Sequence, residues 1–294
     1  MKKVYFILAV IFIIISTSVT IQNSPSEKKV MNQLKTAFGL IPSGNVILDN
    51  KSQNVQSFYM SKTVVTNKEY QEFLKDLKEN GENEIYEIAK IDSSGWRNVY
   101  GNKLEAYATH YHKHSAYQDF PAVNVSKEGA KLYCEWLTEK TNKLLPKDQQ
   151  VKFNLPLKSE WLRAAEGTNS DKIYTWEGPY LRNSKGVVLA NFINIQESAV
   201  SRDVNGDLII LKDLPIALEI SKSIDIIAPA ESYLPNEFGL YNLNGNVSEI
   251  LADSDEFIGG SWYDGGYDIR NRSTKKYDGA SAMIGFRICA RTLK

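Results

Sequence analysis

The sequence predicts an α+β fold, built as one large domain over residues 35–294. Three observations lead there. Apolar residues recur at helical spacing in three segments before Gly167. Beyond Gly167 the chain is dominated by Gly, Asn, Pro and aromatic residues, with brief apolar runs and little helical period. No Pro- or Ser-rich linker divides residues 35–294, and no fixed-period repeat occurs.

The elements follow in order. Lys2 and Lys3 precede the apolar run Val4–Ile15 and the small residues Ser16, Thr17 and Ser18, the pattern of an export signal over residues 1–20. The run is shorter than the roughly 20 residues that span a bilayer. Continued through Val19 and Ile21, it would serve as an uncleaved anchor, the one route to a membrane. No Cys near its end offers a thiol for lipid attachment. Residues 21–34 read as a polar linker. Phe38–Leu48 reads as two short strands split at Pro42-Ser43-Gly44, and Ser57–Ser61 as another. Thr66 and Glu69 stand at capping-box spacing before the stripe Tyr70, Phe73, Leu74 and Leu77. Ser126 is an N-cap for a second helix whose buried face is Ala130, Tyr133, Cys134 and Leu137. A third helix, from about Ser159 to Glu166, carries Trp161, Ala164 and Ala165 and stops at Gly167.

Composition removes several functions. Lys plus Arg and Asp plus Glu both number 35, so no net field holds a polyanion, and nucleic acid is not an expected partner. The 43% hydrophobic content is enough for a sizeable core. With two Cys and three His, a Cys-built zinc site is excluded.

Read together, a series of motifs resembles the sulfatase-modifying-factor family, also called the formylglycine-generating-enzyme domain. They run from Phe58-Tyr59-Met60 and Val65–Tyr70 through Phe120–Ser126, Ala130–Leu137, Asn154-Leu155-Pro156 with Glu160-Trp161, and Tyr174-Thr175-Trp176. They continue through Ala190-Asn191, Pro235–Tyr241, Gly245–Glu249, Gly259–Trp262, Arg270, Arg272 and Gly285-Phe286-Arg287. The resemblance implies the formylglycine-generating-enzyme variant of the C-type-lectin-like fold, with little regular secondary structure.

It also implies chemistry that these residues depart from. Family enzymes oxidise a substrate Cys with a copper ion held by two thiolates just after the Gly-Gly-Ser-aromatic motif. Here Asp264 stands where the first thiolate is expected and Asp268 or Ile269 where the second is. Carboxylates do not replace thiolates for Cu(I) and suit Ca²⁺ or Mg²⁺ better. Copper is therefore not expected, and Asp264 and Asp268 mark a degenerate catalytic site. The same resemblance implies a ligand groove at Ser261, Trp262, Asp264 and Asp268. It implies a structural Ca²⁺ held by Asn246, Val247 and Glu249, and a degraded second site beginning at Asn191 and Phe192, with Asp225 the only nearby acid. It places Cys134 and Cys289 near positions bridged in some exported relatives, as a disulfide or as two buried thiols. Leu157 and Lys158 replace its capping hydroxyl, at a cost of about 1 kcal/mol.

Iron-dependent sulfoxide synthases share this fold and use three His ligands. His110, His112 and His114 would fall on one face of a strand and suit a metal; the other reading is a hydrogen-bonded loop. Arg270, Arg272 and Arg287 read as ties between loops through buried carboxylates, or as an anion site. Trp136, Trp161 and Trp176 read as core, and Trp262 as the candidate platform at the groove.

The expectation is an exported, non-catalytic binding or assembly component of the bacterial envelope, similar to members associated with gliding motility and type IX secretion. Its partners would be envelope proteins or an exported peptide or glycan. The competing expectations are a formylglycine-generating oxidase and a secreted lectin-like module.

Overall fold

The computed structural model describes residues 34–100, 104–168, 172–193, 200–210 and 226–292. The signal or anchor at residues 1–20, nearly all of the linker at 21–34, and Asp225 lie outside the described residues. Among the described residues no helix is long and apolar enough to cross a membrane.

The three helices read from periodicity are present. Helix α1 (Asn67–Glu79) starts at Thr66, where the expected capping box forms: the Glu69 carboxylate accepts from the Thr66 N–H at 2.8 Å. Tyr70, Phe73, Leu74 and Leu77 face inward. Helix α2 (Asn83–Ala89) and helix α3 (Glu105–His110) are short and carry no side-chain N-cap, so the sequence gives little sign of them. Helix α4 (Lys127–Asn142) is capped by Ser126, whose hydroxyl accepts from the Gly129 N–H at 2.9 Å. Helix α5 (Lys158–Glu166) ends at Gly167, in the left-handed region at φ 65°.

The missing hydroxyl at the start of α5 is replaced from elsewhere. The Glu160 carboxylate accepts from the Leu157 N–H at 2.9 Å, and the carboxylate of Asp253 accepts from the Lys158 N–H at 3.0 Å. Two anions thus occupy the positive end of the helix dipole, and the expected capping penalty is offset.

Strands are short and pair over long separations. β1 (Phe38–Ile41), β4 (Phe58–Ser61), β12 (Cys289–Thr292) and β5 (Val151–Asn154) form one sheet in the order β1-β4-β12-β5. All three pairings are antiparallel, with Cys289 opposite Met60 on one side and Asn154 on the other. A second sheet has the order β10-β9-β8-β11, from β8 (Ser248–Ile250), β9 (Glu256–Ile258), β10 (Thr274–Lys276) and β11 (Ile284–Gly285). Its β8–β11 pair is parallel. β2 (Gly44–Leu48) with β3 (Lys51–Val55), and β6 (Val200–Arg202) with β7 (Leu208–Ile210), make separate two-stranded ribbons.

One core lies between the first sheet and helices α1 and α4, where Tyr70, Phe73, Tyr133, Phe153 and Phe286 pack together. A second surrounds Trp161, with Ile41, Met60, Leu243, Ile258 and Cys289. A third joins Trp96, Tyr111, Phe120 and Trp262. The second sheet lies among these cores, with Ile250 of β8 and Ile284 of β11 in the first and Ile258 of β9 in the second.

Candidate functional site

That turn begins with two glycines that nothing else could replace. Gly259 (φ 90°) and Gly260 (φ 67°) lie in the left-handed region, and a Cβ on Gly259 would sit 2.4 Å from the Leu243 carbonyl oxygen. Ser261 follows, fully buried. Its hydroxyl donates to Asp264 Oδ2 at 2.6 Å, and its N–H donates to the same oxygen at 2.8 Å. Asp264 is thereby folded onto its own turn.

The other oxygen of Asp264 is bound by Lys275, from β10. The Lys275 ammonium contacts Asp264 Oδ1 and lies 3.0 Å from Asp268 Oδ2. It therefore bridges the two carboxylates that stand at the expected thiolate positions. Burial alone would lower the ammonium's pKa; the hydrogen bonds and charges of Asp264 and Asp268 outweigh it and hold it above the usual lysine value. Sequence reasoning found both acids but missed the lysine. It lies seven and eleven residues away, on an edge strand where a lysine ordinarily faces solvent.

The expected groove is corrected. Ser261 is 0% and Trp262 5% exposed, so neither lines an open surface. The Trp262 indole stacks against Trp96 at 6.3 Å, and its N–H donates to the Ala282 carbonyl at 3.1 Å. Asp264 is buried and Asp268 is half-exposed.

Neither metal implied by the resemblance fits the residues present. Copper would need thiolates, and both cysteines are buried free thiols in apolar cores, where burial pushes each thiol well above its ordinary pKa. The two-thiol alternative is the one found, and no bridge joins Cys134 to Cys289. Calcium would need open oxygen donors. Glu249 and Arg287 are each 0% exposed and joined at 2.9 Å, and Glu249 Oε2 also accepts from the Trp161 indole at 2.8 Å. A fixed guanidinium on that carboxylate repels a divalent ion. Asn246 Oδ1 accepts from the Ala228 N–H at 2.9 Å and from Asn191 at 3.1 Å, and its backbone carbonyl accepts from the Trp262 N–H. Asn246, Val247 and Glu249 therefore form a structural peg. Asn191 Nδ2 donates to the Ile226 carbonyl at 3.0 Å and to Asn246 Oδ1 at 3.1 Å, tying the second predicted site to the first. Among the described residues no three His, Cys, Asp or Glu side chains gather as a metal-binding group.

The histidines separate. His110 and His114 are exposed, while His112 is buried in a turn after α3. The Trp96 indole N–H can only donate, so His112 Nε2 accepts it at 3.4 Å, and Nδ1–H donates to Asn67 Oδ1 at 3.0 Å. Burial lowers the imidazole pKa to about 3. This is a neutral, structural histidine. The arginines divide likewise: Arg272 pairs with Glu166 at 2.7 Å, Arg287 holds Glu249, and Arg270 lies over the Tyr267 ring.

The glycine turn and the fold together define a scaffold of the sulfatase-modifying-factor type. Residues 23–292 match the sulfatase-modifying factor enzyme 1-like domain, and the chain belongs to that family. It is 24% identical over 270 residues to the Inactive C-alpha-formylglycine-generating enzyme 2 of Bos taurus, covering 80% of this chain and 77% of that protein. Its fold is similar to that of PvdO from Pseudomonas aeruginosa, at TM-score 0.53 and 18% identity over 86% of this chain and 93% of that one. Treponema denticola variable protein 1 is similar at TM-score 0.53 and 17% identity, over 86% and 94%. The crystal structure of CarF is similar at TM-score 0.50 and 18% identity, over 87% and 98%. The fold class is therefore α+β, of formylglycine-generating-enzyme type.

Proposed function

We propose that this chain is a non-catalytic member of its family, acting as an exported binding or assembly component of the bacterial envelope. One observation carries the reading. Where a soft metal would need two thiolates, Asp264 and Asp268 are bridged by the fixed positive charge of Lys275. Lys275 already stands where a cation would lie between the two acids, and the site offers a soft metal only hard oxygens. The bovine relative's designation as inactive supports the same view. Export is supported by Lys2 and Lys3 ahead of the run Val4–Ile15.

The test is Cu(I) titration of the purified chain against a competing chelator, with oxygen uptake and mass spectrometry on a sulfatase-type Cys peptide. No stoichiometric copper and no formylglycine are expected. One tightly held copper ion with oxygen-dependent turnover would overturn the reading. Fractionation and cross-linking in the source cell then address the second half: recovery with envelope proteins is expected, and recovery in the cytosol refutes export.

A further inference from the structure

Two loops beside the Lys275 bridge carry exposed aromatic rings. Residues 174–181 and 265–270 lie against each other. The Tyr174 hydroxyl donates to the Gly266 carbonyl at 2.9 Å, and Leu181 sits so close that a Cβ on Gly266 would come within 2.3 Å of its Cδ1. On this joint surface Tyr180 is 74% and Tyr267 70% exposed, and Trp176 is part-exposed.

Two of these rings are held from behind. Trp176 stacks on Tyr174 with centroids 4.7 Å apart and planes 7° from parallel, and its indole N–H is fixed on the Tyr180 carbonyl at 2.8 Å. The Arg270 guanidinium lies 4.2 Å from the Tyr267 ring centroid. Each ring has one face occupied by a partner that sets its orientation, so little side-chain freedom is lost when a ligand meets the rest of it. Exposed aromatic rings on a soluble surface mark a contact site when they are grouped and rimmed by polar groups, as these are.

Charge narrows the occupant. Asp264 and Asp268 are bridged by Lys275, and Lys172 pairs with Glu177 at 2.9 Å. Arg182, on the next turn, is directed to the Gly186 carbonyl. The acids Glu177, Asp264 and Asp268 stand among the cations Lys172, Arg182, Arg270 and Lys275, a near balance of the two signs that does not select a strongly charged partner. Flat rings beside hydrogen-bonding groups suit a ligand with an apolar C–H face and many uncharged hydroxyls.

We propose that Trp176, Tyr180 and Tyr267, with Asp268 and Lys275 at the edge, form a binding surface for neutral oligosaccharides. The rings stack on the C–H face of a sugar, and the exposed carboxylate–ammonium pair accepts from and donates to neighbouring hydroxyls. This rests on the non-catalytic binding reading and names its ligand class.

The test is a printed array of neutral, sialylated and sulfated oligosaccharides probed with the purified full chain, the best neutral binder then being titrated by calorimetry. Retention on neutral glycans is expected, with little change between low and high salt. The double variant Tyr180→Ala/Tyr267→Ala should bind at least tenfold more weakly at an unchanged thermal midpoint, because both rings are exposed. Leu234→Ala, at an exposed apolar residue elsewhere, should bind as the parent does. The proposal fails if no neutral glycan is retained, if only charged glycans are retained and salt releases them, or if the double variant binds like the parent. None of these outcomes bears on the copper and oxygen assays.

Discussion

Arg287 and Glu249 meet at 2.9 Å with neither side chain exposed, and the same guanidinium donates to the carbonyls of Ser61, Lys62 and Tyr241. One side chain thus fastens β4, the 239–241 turn and β8 to the segment that precedes β12. Burying an ion pair is seldom a net gain, but removing one partner leaves a charge stranded in the core. Arg287→Met should therefore cost about 3–5 kcal/mol in urea unfolding. Arg287→Lys keeps the charge but lacks the planar fork that reaches carboxylate and carbonyls together, so it should fall between the two. A loss below about 1 kcal/mol in Arg287→Met would show that the hub carries little stability.

Lys275→Met removes the cation between Asp264 and Asp268. The lysine side chain is 42% exposed, so the ion pair itself should contribute only about 1 kcal/mol. A qualitative change is also expected. The two carboxylates then present oxygens to solvent without a counter-charge, and millimolar Ca²⁺ should raise the variant's thermal midpoint while leaving the parent's unchanged. A variant as indifferent to Ca²⁺ as the parent would show that the lysine does not occupy a cation's place.

The Asp253 carboxylate at the start of α5 is open to the same treatment. Asp253→Ala should cost about 1 kcal/mol, as loss of an N-cap usually does. Leu157→Ser in that background should restore most of it by returning a local hydroxyl. Thermal unfolding of the two variants checks both steps.

Glu72, on α1, is half-buried, and burial raises its pKa to about 7 against the opposing pull of Lys140 and Lys68. Between pH 4.5 and 7 the folded chain therefore holds a proton that the unfolded chain has lost, and the contribution of this group to stability falls as pH rises. Glu72→Gln removes that slope. Its thermal midpoint should match the parent's near pH 4.5 and exceed it at pH 8. A constant difference at both pH values would show that Glu72 does not titrate in this window.

How much of this was legible depended on distance along the chain. Thr66 with Glu69, Ser126 with Gly129, and Gly167 after Glu166 are local devices, and each helix they bound was readable. The strands at Phe38–Ile41, Gly44–Leu48 and Phe58–Ser61 were visible as apolar runs between turns. Their sheet order was not, because it depends on β12 pairing with β4 across more than half the chain. The site divides the same way. Asp264 and Asp268 were found by their place after Gly259-Gly260-Ser261-Trp262, while Lys275 has no local signal. The calcium reading of Asn246 and Glu249 does not fit their engagement by Arg287, Trp161 and Ala228, none of which lies next to them in sequence. Trp262 is core rather than a platform because Trp96 covers its ring, while Trp176 packs on Tyr174 at the edge of a small core and is only partly buried.

The position of β12 has a consequence for how the chain is made. It is the last strand in order, yet it lies in the interior of its sheet, with β4 on one side and β5 on the other. Until residues 289–292 leave the ribosome, β4 and β5 have open edges and the first core lacks one wall. Such long-range closure is slow to nucleate and comes late. A nascent chain that cannot finish its sheet stays loose, and it becomes rigid only after synthesis has delivered residues 289–292.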